Sequence, residues 1–248
     1  ATFRTADALE MATGVPVMGQ IPRIPARRRQ NVLDYIRRKP NSAPVEAFRN
    51  LRTSLFMSGA TTVPRVIVST SSLPGEGKTT QTLALAHNLT GVRDKVLVIG
   101  AHDTPGMMQV LSRKAKLDEA VWRNPDLGFD VLFGDEAPAN AADLFSSRQF
   151  RQLIRTARKS YDVILIDTPP VLLVPDARVI GRLADAVLYT VRWDKTREKQ
   201  VLQGIRAFES VGVQVTGTVL SQINARGMKK YGYGQDYGNY GTSGYYQS

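Results

Sequence analysis

The sequence predicts an α/β fold, with a mostly parallel sheet and helices on both of its faces. Three observations lead there. From residue 65 onward, short apolar runs follow one another, separated by helical stretches. Parallel strands need such crossovers, and the crossing helices then cover the sheet on both sides. A glycine-rich turn joins the first apolar run to the helix after it, and a later run, Val163-Ile-Leu-Ile-Asp167, ends in an acid. Open α/β sheets bind ligands at such strand ends.

Residues 1–44 read as an extended arm. Pro16, Pro22, Pro25, Pro40 and Pro44 leave room only for short helices near 5–13 and 30–38. Pro44 then opens a helix over 45–57. Ala47, Leu51 and Leu55 recur on one face of it, and Glu46, Arg49 and Arg52 on another. Strands are expected at 66–70 and 95–99, with a helix at 79–90 between them. Residues 106–156 are mostly helical around a strand at 129–132. Strands at 161–167, 187–191 and 215–220 complete the sheet, and 197–211 form an amphipathic helix. The main domain therefore runs over 45–228. Residues 229–248 form a separate, flexible tail: six of the nine tyrosines sit there among glycines, with almost no aliphatic side chain to build a core.

The chain has 248 residues, 42% of them hydrophobic, enough for one large domain with an arm. It has no cysteine, which excludes disulfides and thiolate chemistry. No run of 18 apolar residues occurs, so neither a spanning helix nor a secretory signal is expected. The net charge is +11, with Arg23, Arg27, Arg28, Arg29, Arg37, Arg38 and Lys39 facing a single Asp34 in the arm. Such a segment suits an anionic membrane surface or remains solvated. It lacks the aromatic interleaving of a nucleic-acid binder, so no nucleic-acid partner is expected.

Ser72-Leu-Pro74-Gly75-Glu76-Gly77-Lys78-Thr79, followed by Thr80, is a phosphate-binding P-loop. Its two glycines let the backbone curl so that N–H groups meet phosphate oxygens, and the helix start adds its positive dipole end. Lys78 is placed to reach the β- and γ-phosphates and Thr79 to ligate Mg²⁺. The usual first glycine is Ser72 here. Asp167, at the tip of a buried strand, can hold the Mg²⁺ shell opposite Thr79. A nucleoside triphosphate with Mg²⁺ is the expected ligand.

These residues resemble the cytoplasmic kinase domain of the bacterial tyrosine autokinases (BY-kinases) of polysaccharide co-polymerases, of the Wzc and ExoP types. The P-loop 74–79, the Glu46-x-x-Arg49-x-x-Arg52 helix, Asp167-Thr-Pro-Pro170, the stretch Pro138-Ala-Asn140 through Leu144-Phe-Ser-Ser147, Val191-Arg192 through Thr196 and the tyrosine tail carry the likeness. Residues 14–22 resemble the stretch after the family's second transmembrane helix. The related partition and septum-site ATPases share the fold, but they carry a lysine where this chain has Leu73.

The resemblance implies an ATP-dependent tyrosine kinase, binding ATP or ADP with Mg²⁺, that phosphorylates its own tail at Tyr231, Tyr233, Tyr237, Tyr240, Tyr245 and Tyr246. It implies a ring-shaped homo-oligomer joined through Glu46, Arg49 and Arg52, and a transmembrane co-polymerase segment in the same or a partner chain. It also implies a cognate phosphatase, a place on the cytoplasmic face of the bacterial inner membrane, and control of exopolysaccharide chain length and export. One strand end departs from the family pattern. Where the family reads Asp-x-Asp, this sequence has Gly100 and His102, and only Asp103, one residue later, offers a carboxylate. Lys78, Asp103 and Asp167 are the expected catalytic set, with His102 as a further candidate base. The alternative is a weakened or inactive ATP-binding assembly module of the same system.

Overall fold

The computed structural model describes residues 1–26, 29–57, 62–93, 95–100, 106–134 and 141–231. Its strands are β1 (Val17–Pro22), β2 (Val66–Ser71), β3 (Val96–Gly100), β4 (Trp122–Arg123), β5 (Asp130–Leu132), β6 (Val163–Asp167), β7 (Ala186–Arg192) and β8 (Gly217–Ile223). They form one sheet in the order β1-β8-β7-β2-β6-β3-β5-β4. Neighbours are parallel except β4 with β5. The expected α/β sheet is therefore present.

Adjacent residues of the central strands face opposite layers, as the pleat requires. Val66, Val68, Ile164 and Ile166 face one core, and Ile67, Val98, Val163 and Leu165 the other. The first core is covered by α1 (Ala6–Thr13), α5 (Met107–Leu111), α6 (Leu117–Ala120), α8 (Arg148–Ser160), α9 (Asp176–Gly181) and α10 (Glu198–Glu209). The second is covered by α2 (Arg29–Arg38), α3 (Ala43–Phe56) and α4 (Lys78–Leu89). Short α7 (Ala141–Phe145) precedes α8, and α11 (Ala225–Lys230) follows β8.

The N-terminal segment differs from an extended arm. Its two short helices stand where expected, but residues 17–22 are an edge strand of the sheet, parallel to β8. Prolines 16 and 22 bracket this strand, and an edge position tolerates a missing N–H. Pro16 still contributes its carbonyl, which accepts from the Thr218 N–H at 2.9 Å. Gly19 has Leu51 of α3 where a side chain would begin, so the helix rests directly on the strand. Phe3, Leu9, Met18 and Ile21 are all buried. At about 1.5–3 kcal/mol for each such side chain, the segment is part of the domain's stability. Removing residues 1–22 should lower the thermal midpoint by roughly 10 °C or more, or leave the chain insoluble. An unchanged midpoint in a melting experiment would return the segment to the status of an arm.

At the other end of the strands, Asp185 gathers four bonds. It accepts from the Arg65 and Val66 N–H groups at 2.9 and 2.8 Å and from both Arg158 guanidinium nitrogens at 3.1 and 2.8 Å. Burial works to raise its pKa, but these bonds outweigh it and hold the carboxyl below its ordinary value. A depressed folded-state pKa gives stability that is complete above the unfolded value and lost as pH falls through the folded one. Asp185→Asn should therefore melt lower than the parent at pH 7. The gap should narrow below about pH 4, as paired melts at pH 7 and pH 3 would register.

Candidate functional site

Strand β2 is buried along its length and runs directly into the P-loop. Two glycines make the turn. Gly75 has φ +75° and Gly77 φ +93°, values that L side chains rarely adopt. Gly77 caps α4, whose first residues are Lys78, Thr79 and Thr80. The opening amides of a helix have no partner within it. With the dipole they form a ready anion site at this position.

The loop is fastened from behind. Ser71 Oγ donates to the Leu73 carbonyl at 2.9 Å. Gln222 Nε2 and Arg192 Nη1 donate to the Gly75 carbonyl at 2.9 and 3.3 Å, and Ser221 Oγ donates to that of Glu76 at 2.6 Å. These donors take carbonyl oxygens that would otherwise repel phosphate. Ser72 Oγ pairs with the Tyr189 hydroxyl at 2.7 Å beneath the loop. Gly204 lets α10 lie close over that hydroxyl, because a Cβ there would overlap it.

Glu76 is expected to meet the ligand through the loop backbone, and its side chain takes a separate part. The residue is 3% exposed, and its carboxylate accepts from the Leu73 N–H at 3.0 Å and from the Thr196 hydroxyl. Burial pushes its carboxyl above the ordinary range, against the lowering effect of Thr196 and the Leu73 N–H. Only its backbone is available to a phosphate. Pro74 and Gly75 are exposed on the loop's outer side.

On the ligand side, Thr79 Oγ1 donates to Asp167 Oδ2 at 2.6 Å and Lys78 Nζ stands 3.4 Å from Oδ1. The Asp167 side chain is 2% exposed and that of Lys78 16%. Register brings them together, since Asp167 pairs with Ser69 on β2 and with Gly100 on β3. An ammonium, a hydroxyl and a carboxylate meet beside unpaired helix amides, and no Cβ fills the turn. This donor set fits a polyphosphate with a hard, oxygen-seeking cation such as Mg²⁺. Thr79 and Asp167 would hold the metal.

The chain was compared with known proteins. No family model matches it. It is 32% identical over 209 residues to the tyrosine-protein kinase Wzc of Salmonella typhimurium, covering 78% of this chain and 29% of that protein. To the tyrosine-protein kinase YwqD of Bacillus subtilis it is 29% identical over 230 residues, covering 88% of this chain and 94% of that one. The kinase domain of the Escherichia coli tyrosine kinase ETK superposes with a TM-score of 0.80 at 28% identity, covering 89% of this chain and 94% of that one. The chain belongs to the bacterial tyrosine-kinase family. It spans less than a third of the Wzc length, so it corresponds to one part of such longer relatives.

Within this family domain the remaining expected residues divide. Asp103 and His102 lie outside the described residues, as do Tyr233, Tyr237, Tyr240, Tyr245 and Tyr246 and the stretch Pro138-Ala-Asn140. Tyr231 is described, and it is held. The Arg4 guanidinium lies 3.9 Å over its ring, and Trp193 packs beside it at 6.3 Å. On α3, Arg49 pairs with Glu46 at 2.8 Å, while Arg52 donates to the Asn88 side chain at 2.7 Å. Both bonds lie within one chain. Among the described residues, no cluster of three or more His, Cys, Asp or Glu that could hold a metal occurs. Sequence reasoning missed the backing residues Tyr189, Ser221 and Gln222. Arg192 and Thr196 carried the family likeness without a role.

Gly100 has a steric reason to be glycine. Its φ is +125°, and a Cβ there would collide with the Asp167 carbonyl oxygen of the neighbouring strand. An acid cannot stand at 100 while this backbone is kept. Gly100→Asp should therefore lower stability by about 2 kcal/mol or more and fail to raise nucleotide affinity. Urea unfolding and calorimetry measure the two, and a stable variant with tighter MgATP binding would contradict this reading.

Proposed function

We propose that this chain is an ATP-dependent protein-tyrosine kinase domain that phosphorylates the tyrosines of its own C-terminal cluster. The observation that carries the reading is the meeting of Lys78, Thr79 and Asp167 at the glycine turn, within 3.5 Å of one another. Kinship to proteins named as tyrosine kinases supports the choice of acceptor. In the reaction, a tyrosine oxygen forms a bond to the γ-phosphorus as the bond from that phosphorus to the β–γ bridging oxygen breaks. The phenol proton leaves to a base.

The chain's own groups act mainly by position and charge, which is what phosphoryl transfer requires. Lys78 would sit against β- and γ-phosphate oxygens, and the opening amides of α4 would hold the phosphates in line. Thr79 and Asp167 would hold Mg²⁺, which supplies charge neutralisation when bound. Glu76, Thr196, Ser221 and Gln222 keep the loop in shape without touching the reacting atoms. Asp103 and His102 are the proposed proton acceptors.

The same reading extends to the setting. The domain acts on the cytoplasmic face of the bacterial inner membrane, beside a transmembrane co-polymerase segment, and regulates exopolysaccharide chain length and export. The basic segment around Arg23, Arg37, Arg38 and Lys39 suits an anionic lipid surface. A ring of copies would present each tail to a neighbour's site, and a phosphatase would reverse the mark.

Incubation with MgATP followed by mass spectrometry of residues 231–246 tests the activity. Phosphate should appear on the tail, and Lys78→Met should lose both labelling and nucleotide binding. Tight nucleotide binding with no incorporation would leave the assembly-module alternative. Labelling that persists in Lys78→Met would point to a contaminating kinase.

A further inference from the structure

A cleft of about 1200 Å³ opens at the end of the sheet opposite the P-loop. Lys95 just before β3, Asp130 at the start of β5 and Tyr161 just before β6 line it. The nucleotide site lies where the parallel strands finish, at Ser71, Gly100 and Asp167, so the two sites are separated by the length of the strands.

The cleft combines two chemistries. Leu111, Phe129 and Leu153 give it an apolar floor. Lys95, Arg113, Lys116, Arg123 and Arg148 line it together with the carboxylates of Asp118 and Asp130, a net charge of +3. Asp130 is already engaged, accepting from the Tyr161 hydroxyl at 2.7 Å and facing Arg123 Nε at 3.5 Å. Among the described residues, the side-chain cations of Lys95, Arg113, Lys116 and Arg148 make no ion pair; the Asp162 and Glu119 carboxylates beside them accept instead from the backbone N–H groups of Lys95 and Lys116, at 3.0 and 2.9 Å. Arg113 also stands on backbone with φ 60°, uncommon for so large a side chain, in the turn between α5 and α6.

An apolar floor beneath a cationic rim matches an aryl phosphate. The ring would lie on leucine and phenylalanine while the dianion meets guanidinium and ammonium groups. Inorganic phosphate would leave the floor uncovered, and an unmodified tyrosine would leave the cations unmatched. The chain carries its own supply of such groups, because phosphorylation of a tail tyrosine adds close to two negative charges. Tyr231 is held beside Trp193 at the P-loop end, and Tyr245 and Tyr246 lie fourteen and fifteen residues beyond it, a contour of roughly 50 Å at most. From β8 to β5 the sheet measures about 24 Å at roughly 4.8 Å per strand, and its strands are about 20 Å long. These last tyrosines are far enough along the tail to reach the cleft.

We propose that this cleft is a phosphotyrosine site, which takes a phosphorylated tyrosine near the end of the chain's own tail, Tyr245 or Tyr246. The proposal rests on the tail phosphorylation put forward above. Its consequence is directional: an unmodified tail stays free for the P-loop end, and a phosphorylated one is drawn to the far end of the sheet.

The test uses the full chain, treated with phosphatase, and a synthetic peptide of residues 234–248 phosphorylated at Tyr245. Binding is followed by fluorescence anisotropy at 50 mM and 300 mM salt. The phosphopeptide should bind at least about tenfold tighter than the unmodified peptide and weaken at the higher salt. MgADP should not displace it. Arg113→Ala with Lys116→Ala should weaken binding about tenfold, and so should Arg148→Ala, which removes a cation from a different element. All variants should keep MgADP binding and their circular dichroism. Equal affinity for both peptides, undiminished binding by the variants or displacement by MgADP would overturn the proposal. So would competition by inorganic phosphate at concentrations matching the phosphopeptide. Because the peptide is phosphorylated by synthesis, this result is separate from the kinase activity. A chain that transfers no phosphate can still bind it, and an active kinase can still leave the cleft empty.

Discussion

Asp167 accepts from Thr79 and faces Lys78 because β6 ends level with Gly100 of β3 and beside Ser69 of β2, two residues before that strand ends and the P-loop begins. A carboxylate that is almost fully enclosed needs an opposite charge and a donor, and both come from the first turn of α4. That turn cannot move without the P-loop, and the P-loop cannot move without β2. The whole site therefore inherits its precision from sheet register. A shift of one residue between β2 and β6 would turn Asp167 to the other face of the sheet and leave Lys78 without its partner.

The loop's shape depends on the other half of the sheet. Thr196 follows β7, Ser221 and Gln222 belong to β8, and all three hold the backbone or carboxylate of the glycine turn. Strand β8 in turn carries β1 at its edge. The first residues of the chain reach the same region, since Phe3 accepts from the Asp194 N–H at 2.8 Å and Arg4 pairs with the Asp194 carboxylate at 2.8 Å. Tyr231 stacks under Arg4. The N-terminal segment, the root of the tail and the support of the P-loop thus form one connected patch.

Much of this was legible before the structure. The P-loop is a local object whose glycine spacing, lysine and hydroxyl are written in eight consecutive residues, so its chemistry can be read directly. An acid at a strand end is by itself a weak signal, but Asp167 was legible because its apolar run follows a P-loop in the chain. The strand β1 was not, because prolines at both ends read as breaks until an edge position makes them harmless. The part taken by the Glu76 side chain was not legible either. In the sequence the residue stands between two glycines of the loop, and only the fold shows Thr196 waiting behind it.

The sequence alone determined the succession of β2, β3, β5, β6, β7 and β8 with the main helices between them, the phosphate-binding turn and the family likeness, because each depends on residues close together in the chain. The tertiary structure decided which side of the P-loop faces the core, why position 100 is a glycine, and that the N-terminal residues belong to the sheet. It also placed a basic cleft at the far end of the strands, assembled from five separate segments. Those features arise from contacts between residues dozens to two hundred positions apart, and no local pattern encodes a distance of that kind.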